Sequence, residues 1–302
     1  MPKIIDCNTE EKLEFSEFLE ILNESKINTA CEDEMLEFAP YLKMLNNNKQ
    51  FLSNIIINEL KDYENFQNNN SYTSQVIMLA PPKKGSSFFV RANIWPAKDD
   101  YLTQINGEDT FFYHKPHDHN FNFLTSGYHG SGYWSDYYEY DYEKVIGYPG
   151  EEVDLKFIER SKLSIGKLML YRAHIDVHDQ LPADEFSISI NVMENTLRPL
   201  VTDQYAFDTE RKKIKKLLNR HNALFVMRAS LVLNDQNSLD IIDHISKKHS
   251  MDAVRMAAID AIALSNTCLR SRAEVYQNSL KANSSFISKN SYVRLRNIEE
   301  GL

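Results

Sequence analysis

Residues 111–142 read FFYHKPHDHNFNFLTSGYHGSGYWSDYYEYDY. His114, His117 and His119 fall within six residues, and polar and aromatic side chains then alternate through Asn120, Phe121, Asn122 and Phe123 before glycines at 130 and 132. Alternation with a period of two marks a strand, in which residues two apart share a face. The stretch therefore predicts a β-hairpin that carries His117 and His119 side by side, with Tyr138 and Glu139 on its return strand. Two imidazoles aimed at one point from one side of a sheet begin a coordination sphere for a borderline divalent metal such as iron, zinc or nickel.

Working outward, residues 72–79 and 87–94 are rich in β-formers and separated by Pro81, Pro82 and Gly85, which predicts neighbouring strands. Further strands are expected over 152–158, 167–171 and 186–193; in the last, Phe186, Ile188, Ile190 and Val192 alternate with Ser187, Ser189 and Asn191, as in a strand with one face in a core. Many short strands without intervening helices indicate an antiparallel sandwich or barrel. On either side the period is helical. Two or three helices are expected over 9–66, and more over 211–233, 238–249 and 252–265, with a polar tail from Ser284 that frays. The segment DAVRMAAIDAIA, residues 252–263, and the helix before it look like a HEAT-type helix pair, a class that presents surfaces to protein partners. The expected organisation is a helical region over 1–70, a β-rich region over 71–206 and a helical region over 207–302.

The formal net charge of −9 argues against nucleic acid and anionic membrane, because phosphate binding needs concentrated Lys and Arg. No run approaches the roughly 18 apolar residues of a membrane span, and the opening MPKIIDCNTEEKLEF carries acids where a signal peptide is basic and then apolar, so a cytoplasmic protein is expected. Cys7, Cys31 and Cys268 are too scattered for a disulfide framework or a zinc knuckle. A small molecule or a protein is the expected partner.

Six of the nine histidines lie between 114 and 178. In GKLMLYRAHIDVHDQLP, residues 166–182, Leu168, Leu170, Arg172, His174, Asp176 and His178 share parity, so an extended chain would continue an inward apolar face into His174 and His178. Here the sequence resembles the cupin superfamily, a double-stranded β-helix or small jelly roll, over about residues 72–200. His117, Asp118 and His119 match the HxH pair of its first motif, with Gly130 beyond; Gly166 and His178 match the glycine and single histidine of its second. Phe123 or Leu124 stands where cupins place a glutamate, and the proline and glycine of the second turn are replaced over 173–177.

The missing glutamate points to His117, His119 and His178 as an all-histidine metal face, similar to the thiol dioxygenase branch of the cupins. His174 competes for the third position, and Glu139 would instead give a two-histidine, one-carboxylate set. His114 belongs to the rim, His129 to a glycine-rich loop, and His221, His244 and His249 to helices. Tyr138, Glu139 and Arg172 are the candidates for orienting substrate or dioxygen, and Arg91 and Arg172 are candidate clamps for a carboxylate. The resemblance implies an α+β protein with a cupin barrel between helical regions, Fe(II) with Zn, Mn or Ni as alternatives, and an oxygenase acting on a small molecule such as an amino acid or its derivative. A non-catalytic metabolite binder with a helical protein-interaction region, or a metal-dependent isomerase or lyase, fits the same features. An exposed sheet edge would favour a homodimer.

Overall fold

A computed structural model describes residues 1–68, 70–219, 222–233 and 236–301. The chain divides into two compact units: Met1–Tyr140, Asp154–Thr196 and Tyr205–Lys213 form the first, and Asp141–Val153, Leu197–Gln204 and Ile214–Leu302 the second. The N-terminal helices and the strands expected to follow them as a separate region thus belong to one unit. His221 lies outside the described residues.

The chain opens with β1 (Lys3–Ile5) and four helices, α1 (Phe15–Glu24), α2 (Glu32–Glu37), α3 (Ala39–Asn47) and α4 (Phe51–Lys61). Phe15, Phe18, Leu19 and Leu22 recur at helical spacing along α1, and a reciprocal capping box between Glu14 and Glu17 starts the helix. Then come β2 (Val76–Ala80), β3 (Phe88–Trp95), a short α5 (Tyr101–Asn106), β4 (Phe123–His129), β5 (Trp134–Glu139), β6 (Lys156–Lys162), β7 (Leu168–Tyr171), β8 (Asp176–Leu181) and β9 (Ser187–Glu194). The helix α5, which breaks the expected unbroken run of strands, is started by the Asp100 side chain accepting from the Leu102 N–H.

The strands form two antiparallel sheets, one of six strands in the order β1-β7-β4-β9-β3-β2 and one of three in the order β6-β5-β8. Two departures from expectation follow. The strands are not joined into a closed barrel among the described residues. Nor are β4 and β5 a hairpin: β4 pairs with β7 and β9 and β5 with β6 and β8, so the turn at Gly130 and Gly132 carries the chain from one sheet to the other. Gly132 sits at φ +81°, and a Cβ there would collide with the Leu163 carbonyl. Only glycine lets the crossing come this close.

Both faces of the large sheet are buried. Leu124, Leu168, Leu170, Val90, Ile190 and Val192 pack on one face with Phe18, Leu22, Leu42, Leu45 and Phe51 of the helices. Each such side chain contributes about 1.5–3 kcal/mol of hydrophobic stabilisation. On the other face Phe89, Trp95, Phe123, Met169, Tyr171 and Met193 meet Tyr113, Tyr133 and Tyr137 in a second core between the sheets. The expected single apolar face of residues 186–193 is therefore the helix side, and its polar partners Ser187, Ser189 and Asn191 are buried too. The parity read for β7 is reversed: Leu168 and Leu170 face the helices, and Met169 and Tyr171 face the second sheet.

Beyond α6 (Arg198–Val201), β10 (Gln204–Asp208) and β11 (Lys213–Asn219) pair as a two-stranded ribbon, so the front of the helix expected over 211–233 is a strand. The helix proper is α7 (Ala223–Val232), followed by α8 (Gln236–Lys248), α9 (Asp252–Ser265), α10 (Leu269–Ser279) and α11 (Ser285–Glu299). The central helix is α9. Val254, Ala258 and Ala261 pack with Met227 and Ile242 of α7 and α8, while Met256, Ile259 and Ala263 pack with Tyr276 of α10 and Ile287 of α11. The tail expected to fray is α11, capped by Ser284 and held by the fully buried Ile287. No helix among the described residues is long and apolar enough to cross a membrane.

Candidate metal centre

The two histidines of the HxH pair lie just before β4, in an extended segment on the edge of β8. The His117 N–H donates to the His178 carbonyl at 3.1 Å, and the His178 N–H returns the bond to His117 at 3.0 Å. Directly paired residues in an antiparallel ladder share a face, so the two rings emerge together, and His119, two residues on, joins them. Between His117 and His119, Asp118 points the other way. Its side chain is shut off from solvent and accepts from the Tyr140 hydroxyl at 2.5 Å and the Tyr205 N–H at 2.6 Å.

His119 Nε2 stands 3.1 Å from His178 Nε2, which stands 3.2 Å from His117 Nε2, and all three rings have ligand atoms within 4.8 Å of one another. All three residues are buried. Nitrogens bound at about 2.1 Å to one ion, roughly at right angles, lie about 3 Å apart. The proton inventory points the same way. His117 Nδ1 lies 2.6 Å from the Lys115 carbonyl, which can only accept, so Nδ1 carries the proton and Nε2 presents a lone pair. Among Nε2 atoms this close, His178 can donate to one neighbour at most, whereas a cation satisfies all three lone pairs. Burial holds His117 down to about 4, against the pull of its Lys115 hydrogen bond, and holds His119 and His178 well below the usual histidine value. The rings are neutral near pH 7, the state in which imidazole ligates. Among the described residues this is the one group of His, Cys, Asp and Glu placed to hold a metal, and its donors suit one.

Aromatic rings wall the centre. Phe121 and Phe123 each lie 4.9 Å from the His119 ring, Phe112 lies 5.6 Å from His117, and Tyr171 lies 5.0 Å from His178. The Tyr171 hydroxyl sits 2.9 Å from that of Tyr137 and 3.4 Å from that of Tyr133. Burial raises the pKa of all three phenols, that of Tyr133 to about 12, so they remain protonated donors.

The other sequence candidates are placed elsewhere. His174 occupies the turn between β7 and β8 at φ +63°, its N–H donating to the His119 carbonyl at 2.7 Å; the turn resets the parity that had aligned it with His178. Glu139 has its Oε1 on Arg172 Nη2 at 2.7 Å and on the Met1 ammonium. Partial burial opposes its charge, but these two cations outweigh it and hold the carboxyl below the usual range. Arg172 also grips the buried Asp176 through Nη2 at 2.6 Å and Nε at 3.1 Å, so it is a structural clamp on the turn. Tyr138 lies on the opposite face of β5 from Tyr137, edge-on to Phe157 at 5.4 Å. His114 is exposed beside Glu108, and His129, His244 and His249 are exposed. Sequence reasoning missed Tyr171 and the anchoring role of Asp118. A reversed parity in β7 would have shown the first; the acid between two inward histidines was the signal for the second.

No protein-family model matches the chain, and no curated protein matches it in sequence. What the centre does is therefore read from its own chemistry.

Proposed function

We propose that His117, His119 and His178 hold a single ferrous ion in a cupin-type centre, and that the protein is an oxygenase acting on a small molecule such as an amino acid or its derivative. The observation that carries this is the convergence of three buried, neutral imidazoles with no carboxylate among them. Imidazole donors suit iron, zinc, nickel and copper, whereas manganese and magnesium favour oxygen ligands. A bound ferrous ion supplies Lewis acidity and one-electron chemistry for bringing dioxygen to an organic substrate. The chain's own residues do the rest. Three neutral ligands leave the charge of the ion uncompensated, the phenylalanines at 112, 121 and 123 keep water from the reacting atoms, and the hydroxyls of Tyr133, Tyr137 and Tyr171 offer hydrogen bonds along one wall. The cupin assignment rests on the antiparallel sheets and the HxH and His178 positions, and the HEAT-like assignment of the second unit on the stacking of α7 to α11 about α9.

The test is elemental analysis of protein prepared without chelator or histidine tag, beside the variants His117→Ala, His119→Ala and His178→Ala. About one iron per chain in the parent, lost in each variant with the fold retained, is expected, followed by oxygen uptake with the correct substrate. Full metal content in His119→Ala would overturn the assignment, and stoichiometric zinc in place of iron would replace the oxygenase with a Lewis-acid enzyme.

A further inference from the structure

A helix that is apolar all round belongs in an interior. The ten residues of α7, ALFVMRASLV, carry polar side chains only at Arg228 and Ser230. One face is used within the second unit, where Met227 is buried with Ile242 of α8 and Val254, Ala258 and Ala261 of α9, and Ala223, Leu224 and Leu231 pack around them. The opposite face is open. Phe225, Val226, Val232 and, at the helix end, Leu233 are between 61% and 82% exposed, and Ala229 in their midst is exposed as well. Stacks of helices close on a polar outer face; this one begins with an apolar one.

The spacing of the open face is symmetrical. At about 100° per residue, positions 225, 226, 229, 232 and 233 fall within an arc of about 120° that has Ala229 at its middle. Two large side chains precede Ala229 and two follow it, at matching distances along the helix. A two-fold axis beside Ala229 therefore lays α7 antiparallel on a second α7, with the two alanines at the crossing. Phe225 then meets the partner subunit's Val232, and Val226 meets the partner subunit's Leu233. An isologous contact requires one patch that fits itself, and a small residue at the centre lets the helix axes come within about 8 Å. Arg228 stands about 100° round from Ala229, off the stripe, so no charge has to be buried. Ile241 and Ile245 of α8 wall a groove beside Val226 that extends the patch. The exposed parts of these apolar side chains amount to roughly 500 Å² per copy, or about 1,000 Å² for a pair, which reaches the area a specific interface needs.

We infer that α7 is the contact through which this chain pairs with a second copy of itself, as an antiparallel helix pair about a two-fold axis at Ala229. The contact is independent of what the histidine centre holds. It also differs from a dimer made at a sheet edge, which would use the edge strand β6 and its exposed Phe157.

The test is sedimentation velocity on the full chain from about 1 to about 100 μM, where the parent should pass from monomer to dimer with a micromolar dissociation constant. Ala229→Glu sets two like charges on the axis, and Ala229→Lys does so with the opposite sign. Each should weaken self-association at least roughly hundredfold while leaving the far-UV helix signal unchanged, since position 229 is exposed. Mixed one to one, the two variants should associate again, because opposite charges then meet at the axis. That rescue is specific to a two-fold contact at this residue. Phe225→Ser, which only trims an exposed side chain, should be monomeric as well. A parent that stays monomeric at the highest concentration, a dimer that survives the Ala229 variants, or a mixture that fails to associate would each overturn the inference. So would a dimer abolished by Phe157→Glu and kept by Ala229→Glu, which would put the contact at the sheet edge.

Discussion

Replacing Asp118 by alanine removes the acceptor that fixes the backbone between two candidate ligands. The carboxylate is fully shielded and receives the Tyr140 hydroxyl at 2.5 Å and the Tyr205 N–H at 2.6 Å. Hydrogen bonds to a charged group contribute about 1.5–3 kcal/mol each, and the abandoned donors stay buried, so Asp118→Ala should cost about 3–5 kcal/mol. Tyr140→Phe, which breaks one bond and leaves the carboxylate the Tyr205 N–H, should cost about 1.5–2 kcal/mol. The double variant should cost less than the sum of the two by at least about 1.5 kcal/mol, since the shared bond is counted once. Both tryptophans, Trp95 and Trp134, belong to the first unit, so urea unfolding followed by tryptophan fluorescence reports that unit. In a parallel metal titration the loosened segment should weaken binding by about 10–100-fold, as for other groups that orient ligands. A loss of under about 1 kcal/mol together with unchanged metal affinity would show that Asp118 does not set the position of His117 and His119.

Three further outcomes are expected. The metal-free protein should lose stability as pH falls: His117 is neutral in the fold down to about 4, while the unfolded chain takes up a proton below its ordinary 6.5, so stability is full above that value and declines between the two. That one ring accounts for about 3 kcal/mol by pH 4, and His117→Gln should flatten the pH dependence of the urea midpoint by a like amount. Gly132→Ala should destabilise the first unit by at least about 2 kcal/mol, because the added Cβ meets the Leu163 carbonyl and the backbone is held at φ +81°; a midpoint equal to the parent's would show that the crossing between sheets relaxes freely. Ile287→Ala should cost the second unit about 2–5 kcal/mol, seen as earlier loss of far-UV helix signal with the tryptophan transition unmoved.

The site was more legible in the sequence than the topology around it. HxH spacing works at short range: two residues apart in extended chain share a face whatever the strand pairs with, so His117 and His119 could be placed together before any partner was known. His178 was reached by a flawed route, since the parity carried through from Leu168 fails at the turn where His174 takes a positive φ. Parity is reliable only inside a continuous strand. Strand partners were not legible, because Phe123 and Tyr137 look alike in pattern whether they form one hairpin or face each other from two sheets. Residues 213–219, KIKKLLN, are too short to separate a helical from an extended period, and pairing with β10 decides for the strand. The fate of the tail turned on Ile287, whose burial depends on α9 and α10 being present to receive it.

The reciprocal bonds between His117 and His178 tie the centre to a count of residues. Sixty positions separate them in the chain, and insertions in the connecting loops leave the pairing untouched. A slip of one residue between the His117 segment and β8 is different: it would turn one ring to the far side of its sheet and leave the other facing a neighbour that cannot ligate. The chain can thus tolerate changes of length in the loops that join the strands between these two histidines, and none within the few residues on either side of them.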